Sequence, residues 1–456
     1  MRLRHIARPY HSYQRLRRTG RFSAGPPTVL AGGFALLILA GTLSLWLPWS
    51  NQQPITLFQA LFTATAAVTV TGMSIVDIST QFTPLGQGII ALLVQLGGLG
   101  FVTFALVAVA KLGKKISLQH QTVAMEAFNQ TSVTRLNDTA LFVFKMALAI
   151  ELLAFAVLTA YWAIDLGPLA AMGRAAFHTI MAFNNAGMSL TGTHLDHHLD
   201  ATLVILLTTG LIILGGLGFS VLDDCWRKRS WRKLSAYSRL IILATVLLNL
   251  LAFAALWLLE HRNPLTLANL SVHDQAMAAW LQTIAARTAG FQAIEPAHLT
   301  HGSTMILMGL MFIGGGSLST ASGIKIGTFI ILLAAAYSYL RGRSDVVLLK
   351  RTVPSELVYK ALALLLLTTA LAFGATLLMT LLEPKGDFLN LAFEVVSALS
   401  TTGLSRTHTS ELNAFSQTLV MALMFIGRIG PLTLVYSLSM RARSRVSYPE
   451  AQFQVG

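Results

Sequence analysis

The chain has 456 residues, 54% of them hydrophobic and only 11% charged, with a formal charge of +14. A soluble domain carries about 25% charged residues, so too few polar groups remain here to cover a water-facing surface, and so apolar a chain is not disordered. Lys and Arg fall in short blocks between apolar stretches, which is the positive-inside pattern of a multi-pass membrane protein rather than the mark of a nucleic-acid partner.

A basic arm, residues 1–27, precedes eight predicted spans at 28–47, 85–109, 139–163, 201–222, 238–259, 303–339, 360–382 and 416–438, and a tail, 439–456, follows. Each span reaches the roughly 20 residues that cross about 30 Å of hydrocarbon. The first is too long for a signal sequence, and no small-residue cleavage site follows Trp46-Leu47-Pro48. The linkers alternate in charge. Twenty-five Lys and Arg lie in 1–27, 110–138, 223–237, 340–359 and 439–456 or at their edges, against five (Arg174, Arg262, Arg287, Lys385 and Arg406) in 48–84, 164–200, 260–302 and 383–415. Both termini are therefore expected in the cytoplasm. The outer set holds eleven acids, Glu260 and Glu394 among them. Such an acidic face would concentrate cations, random loop composition being the plain alternative. The single cysteine, Cys225, allows no internal disulfide.

The outer linkers are too apolar for plain loops. Each holds a short helix-like stretch (57–68, 173–183, 275–286 and 390–399) and then a glycine turn. The turns read Thr69-Val70-Thr71-Gly72, Asn184-Asn185-Ala186-Gly187, Arg287-Thr288-Ala289-Gly290 and Ser400-Thr401-Thr402-Gly403, their glycines 115, 103 and 113 residues apart. The following spans match as well: Leu96-Gly97-Gly98-Leu99-Gly100 with Leu214-Gly215-Gly216-Leu217-Gly218, and Gly314-Gly315-Gly316 with Gly427-Arg428-Ile429-Gly430 in the equivalent place. One unit of span, short helix, turn and span thus occurs four times, at 28–109, 139–222, 238–339 and 360–438. A lone glycine in an apolar helix is ordinary helix packing; four in register are not.

A stretch of about 11 residues rises only about 16 Å. Each enters from outside, stops near mid-membrane and returns as non-helical backbone, which is tolerated at that depth only where it lines a cavity. Glycine permits the left-handed backbone that aims successive carbonyls the same way. Four such turns around a central pseudo-fourfold pore would offer rings of carbonyl oxygens to a dehydrated cation, with the negative C-terminal ends of the short helices behind them. The expected fold is an all-α polytopic membrane protein of four span–pore-helix–span units and eight transmembrane spans. A coupled secondary transporter of another small cation or solute would instead show twofold or inverted repeats and buried acids; here only Glu151 lies well inside a span. No P-loop sequence occurs, and the Gly/Ser run at 314–323 lacks the strand–turn–helix setting of a nucleophile, so no enzyme activity is expected.

With these four turns in these four units, residues 28–438 resemble the Trk/Ktr/HKT superfamily of potassium-translocating proteins, and within it the Ktr branch. TrkH-type members carry extra N-terminal spans, for which the 27-residue arm leaves no room. The resemblance implies potassium uptake across the bacterial plasma (inner) membrane. It puts a selectivity filter on Thr69, Val70, Thr71 and Gly72, on Asn185, Ala186 and Gly187, on Thr288, Ala289 and Gly290, and on Thr401, Thr402 and Gly403, whose backbone carbonyls would hold K+. It also implies sodium-stimulated uptake (Na+ symport), a homodimer, a cytosolic KtrA-like ring of nucleotide-binding regulatory subunits, and no organic cofactor on this chain. Met73 and Met188 stand where other members often carry Phe or Leu, which leaves the carbonyl argument intact. The basic cytoplasmic stretches 227–233, 341–351 and 441–445 would dock that ring or hold anionic membrane lipid.

The sixth span has 37 residues, and as one helix it would be about 55 Å long. Its middle, Gly314-Gly315-Gly316-Ser317-Leu318-Ser319-Thr320-Ala321-Ser322-Gly323, is rich in helix breakers. Lying below the turns, it reads as a gate loop; a plain break between two tilted helices is the alternative. Lys325 either snorkels to the cytosolic interface or partners the closed loop. Arg428 lies inside the last span, where a charge at the bilayer centre costs roughly 2.5–3.5 kcal/mol. Aligning the repeats puts it level with Gly98, Gly216 and Gly315, 25 to 29 residues after the turn glycine. One guanidinium then has room to reach the pathway as an electrostatic barrier beside the loop, the alternative being an Arg that packs onto backbone carbonyls. Lys145 is expected at the interface, and Glu151 has no assigned role. The run His194-Leu195-Asp196-His197-His198-Leu199-Asp200 has a metal-like composition, but one outer run without a second cluster is not a metal site.

Overall fold

The computed structural model describes residues 26–100, 133–190, 202–343 and 345–430. Nearly all of the basic arm, most of the 110–138 linker, the 194–200 run and the tail lie outside them, as do the far ends of the spans expected at 85–109 and 416–438. Helix α1 (Pro26–Trp46) leads to the half-length α2 (Leu57–Val68), and α3 (Pro84–Gly98) follows. Next come α4 (Val133–Leu166), α5 (Pro168–Asn184), α6 (Thr202–Leu217) and α7 (Phe219–Lys228). Then come α8 (Ala236–Glu260), α9 (Val272–Ala285), α10 (His301–Phe312) and α11 (Ile326–Leu340). The last are α12 (Ser355–Leu382), α13 (Phe388–Leu399) and α14 (Ala414–Ile429).

The short helices start where polar residues satisfy their free N–H groups. Thr56 opens α2 with a reciprocal capping box: its hydroxyl accepts from Gln59 N, and the Gln59 side chain accepts from Thr56 N at 2.9 Å. Ser271 and Asp387 cap α9 and α13 through their side-chain oxygens, which accept from Asp274 N and Asn390 N. Helix α5 begins at Pro168, earlier than the 173 expected. Gly167 turns the chain at φ 76°, and Pro168 takes the first helical position, where its missing N–H leaves nothing unpaired.

Helices α4 (over Leu141–Leu166), α8 and α12 are long and apolar enough to cross a membrane. Leu153, Leu251 and Phe373 on them are 71%, 61% and 76% exposed, an outward apolar face that hydrocarbon accepts and water does not. Helix α1 covers the first expected span with 21 residues, and α3 and α14 cover the described parts of those at 85–109 and 416–438; the other two are broken. The one at 201–222 stops at Leu217; Gly218 adopts φ 104°, and α7 leaves at 98° to α6. The one at 303–339 splits into α10 and α11 around residues 313–325. The 340–359 linker departs from the all-α expectation. Val347–Leu348 (β1) and Arg351–Thr352 (β2) pair antiparallel, joined by Leu349 and Lys350, both at positive φ, as a tight two-residue hairpin turn requires.

Each half-length helix is held within its own unit: α2 packs on α1 and α3, α5 on α4 and α6, α9 on α8, and α13 on α12 and α14. Contacts between units run in one direction and return to their start. Helix α3 packs on α5, α6 on α9, α10 on α13, and α14 on α2. Small buried residues such as Ala60, Ala64, Ala278 and Ala279 let these backbones approach, and Phe62, Phe183 and Phe393 fill the space between them.

Candidate functional site: four turns and a glycine loop

Where each half-length helix ends, two left-handed residues turn the chain. They are Val70 (φ 57°) and Gly72 (85°), Asn185 (61°) and Gly187 (62°), Thr288 (65°) and Gly290 (72°), and Thr401 (50°) and Gly403 (94°). A right-handed or extended residue separates each pair, an alternation that swings neighbouring carbonyls to one side. Three of the four non-glycine residues are β-branched, where left-handed backbone costs roughly 1–2 kcal/mol. Residue type gives no hint of this. What holds them is the helix end: Thr71 N donates to Ala66 O, Ala186 N to Met181 O and Thr402 N to Ser397 O, each at 2.8 Å. The third turn differs, with Ala289 N and Gly290 N both donating to Ala285 O, at 2.9 and 3.0 Å.

The glycines close the turns into a ring. A Cβ on Gly72 would collide with the carbonyl oxygen of Ala186, one on Gly187 with that of Ala289, one on Gly290 with that of Thr402, and one on Gly403 with that of Thr71. Each turn therefore touches the next backbone to backbone, an approach that only a residue without a side chain allows. The residues named from sequence in the four turns are thus brought together, and their side chains (Thr69, Val70, Thr71, Asn185, Ala186, Thr288, Ala289, Thr401 and Thr402) are buried. In turns one and four, equivalent hydroxyls pair: Thr69 with Thr71 at 2.8 Å and Ser400 with Thr402 at 2.9 Å.

The 313–325 loop lies against the C-terminal end of α5, where the Thr320 hydroxyl donates to Phe183 O at 3.3 Å. Its neck is zipped by Gly314 N to Ile324 O (2.9 Å), Ile324 N to Phe312 O (3.1 Å) and Ile326 N to Gly315 O (3.0 Å). Its body is docked on the α6–α7 bend: Gly316 N donates to Gly216 O, Thr320 N to Gly215 O, and Phe219 N to Leu318 O. Ser319 Oγ closes the loop onto Gly316 O at 2.7 Å, whereas Ser317 is exposed.

Lys325 does not snorkel. Its ammonium folds back and donates to Ala321 O of the loop. Arg428 bonds backbone carbonyls, as the packing alternative required, but those carbonyls belong to the candidate gate and to α3. Its Nη1 donates to Thr320 O (2.5 Å) and Ser322 Oγ (3.3 Å), and its Nη2 to Gly97 O (2.6 Å) and Gly98 O (3.0 Å). A cavity of about 340 Å³ is lined by Gly98, Ser322, Gly323, Lys325 and Arg428 among others.

Several polar residues lie elsewhere than sequence placed them. Arg287, counted in an outer linker, is buried, with Nη1 donating to Asn249 Oδ1 and Nη2 to Gly314 O, both at 3.0 Å. Glu394, counted among the outer acids, is wholly buried and accepts from the hydroxyls of Ser405 and Thr409. Glu260 is buried too and accepts from Thr300 N and Thr300 Oγ1 at 2.9 and 2.8 Å. The acidic outer face is correspondingly smaller than linker composition suggests. Glu151 accepts from Gln95 Nε2 and Asn184 Nδ2, tying α4 to the second turn. One signal was available: the residue three before each turn glycine is polar in all four units (Thr69, Asn184, Arg287 and Ser400). Among the described residues no group of three metal-ligating side chains occurs.

Comparison with known proteins agrees with this architecture. Residues 28–445 match the family model TrkH, described as a cation transport protein. The chain is 39% identical to the Ktr system potassium uptake protein B of Bacillus subtilis, across 94% of this chain and 97% of that one. It is 37% identical to the Vibrio alginolyticus protein of the same name, across 93% and 94%. It is 32% identical to the potassium/sodium uptake protein NtpJ of Enterococcus hirae, across 94% and 97%. Among solved structures, the potassium transporter TrkH from Vibrio parahaemolyticus has the same fold, with a TM-score of 0.73 over 93% of this chain and 86% of that one at 19% identity. These relatives are cation transporters, not enzymes. The chain belongs to the TrkH family of cation transport proteins.

Proposed function

We propose that this chain takes up potassium across the bacterial plasma membrane through a pathway lined by the four turns, crossing the membrane eight times with both termini in the cytoplasm. The observation that carries the reading is the closed ring, in which each turn glycine lies against the carbonyl oxygen that precedes the next. A cation that leaves water needs oxygen ligands on all sides, and backbone carbonyls from four chain segments supply them without side-chain charge. The half-length helices end at the ring, so their negative C-terminal dipoles favour a cation there. The names of the relatives, potassium uptake and potassium/sodium uptake, support K+ as the cargo and sodium stimulation of its passage.

The 314–323 loop is the gate in this reading. In the closed state, Arg428 clamps Thr320 and Ser322 to α3 while Lys325 grips Ala321. Two cations beside the cavity repel K+ until the loop and the guanidinium move aside. The protein works as a homodimer under a KtrA-like cytosolic ring of nucleotide-binding subunits. Helix α7 is one docking element: Arg227 and Lys228 pair with Asp223 and Asp224, and Asp224 also accepts from Ser235 N, pinning α7 to the start of α8. The test is potassium uptake in a potassium-uptake-deficient bacterial host, with and without the regulatory subunit. Growth restored at low potassium, and more strongly with the subunit, is the expected result. Normal expression without any potassium flux in either arm would count for the transport of another solute.

A further inference from the structure

In three of the four units the turn is fastened to the helix that follows it by a glycine. A Cβ on Gly97 would strike Val68 O, one on Gly215 would strike Phe183 O, and one on Gly427 would strike Leu399 O, each a carbonyl in the last turn of its own half-length helix. The equivalent residue of the third unit is Gly314, and it makes no such contact. Its nearest neighbours are Ser322 and Gly323 of its own loop. What spans the gap is Arg287, the residue directly before Thr288. The residue is 7% exposed, and its guanidinium holds Gly314 O with one arm and Asn249 Oδ1 of α8 with the other. Gly314 belongs to the zipped neck of the loop, whereas the body is held by Gly215, Gly216 and Arg428.

We propose that Arg287 is a positioning residue that fastens the third turn to the neck of the loop, so that the setting of the loop is felt at Thr288, Ala289 and Gly290. The inference rests on the reading of the turns as a filter and the loop as its gate. Two separate nitrogens of one rigid plane hold acceptors on two different elements here, a spacing that the single nitrogen of a lysine ammonium does not reproduce. When the loop body swings away from α6 and Arg428, the pull on the neck passes through Gly314 and Arg287, and the third turn is the one that registers it.

The test uses the full chain assembled with its regulatory subunit in the potassium-uptake-deficient host. It reads the KM for potassium, the KM for sodium, and maximal rate per protein in the membrane. Arg287→Gln is expected to raise the potassium KM about tenfold, the loss of one hydrogen bond from a charged group, and to weaken discrimination against sodium, with maximal rate changed less than twofold. Arg287→Lys should not restore the KM. Asn249→Leu should move the KM in the same direction by a smaller factor, Asn249→Asp should preserve it, and adding Asn249→Leu to Arg287→Gln should move it no further. A variant that only lowers the amount of protein, with both ions' KM values unchanged, makes Arg287 structural and overturns the proposal. If Arg287→Gln does not reach the membrane, Asn249→Leu decides, and an unchanged KM there overturns it equally. Gly290→Ser is the control: if it too leaves KM unmoved, the filter reading itself falls, and if it shifts KM while the others do not, only the role of Arg287 is wrong.

Discussion

Arg428 makes four hydrogen bonds with one guanidinium, two to the loop and two to α3. Glutamine is too short to bridge both and carries no charge. Arg428→Gln is therefore expected to raise potassium flux severalfold while leaving selectivity intact, because the turns are untouched; normal expression with unchanged or reduced uptake would remove the barrier role. Glu394 gives a stability prediction. Its carboxylate serves the hydroxyls of Ser405 and Thr409 behind the fourth turn. Glu394→Leu strands both and should cost about 1–3 kcal/mol, read as a lower thermal midpoint of the detergent-purified protein, whereas Glu394→Gln should lose less. At this scale the sequence was legible where a residue type is diagnostic, as at the four glycines and Arg428. It was not legible where the backbone imposes the conformation. Nothing in Val70 or Thr401 announces positive φ, and Arg287 looks like a linker cation until its helix is seen to carry it inward.

The half-length helices and the loop are the elements that matter, and their positions were readable because a short apolar stretch followed by glycine has few other meanings. The bounds of α2 match the expected stretch, and α5 starts earlier only because Gly167-Pro168 launches it. The bend between α6 and α7 was hidden, since Gly218 sits in a Gly-rich run that also suits a straight packed helix. That bend is where the loop docks. The loop has two parts with different roles, a zipped neck and a body held by Gly215, Gly216 and Arg428. Deleting Ser317, Leu318 and Ser319 removes the body's tip and leaves the neck. Such a chain should transport potassium faster and depend less on the regulatory subunit, as measured by uptake with and without it. Slower transport at normal expression would make the segment a structural break instead of a gate.

For the whole molecule, the ordering of contacts carries the account. Helices of successive units meet in the sequence α3 on α5, α6 on α9, α10 on α13 and α14 on α2, and the turn glycines repeat that order at the centre. In the proposed function four units arranged this way share one pathway, so damage to any one turn should be felt by the same ion. The direct measurement is the KM for potassium and its discrimination against sodium in four variants, Gly72→Ser, Gly187→Ser, Gly290→Ser and Gly403→Ser, each assayed in the potassium-uptake-deficient host. Each substitution forces a Cβ onto the neighbouring turn's carbonyl and strains a left-handed residue by about 1 kcal/mol or more. One shared pathway predicts a raised potassium KM and weaker discrimination against sodium in all four. Variants that reach the membrane in normal amounts and keep the parent's KM for both ions would contradict it.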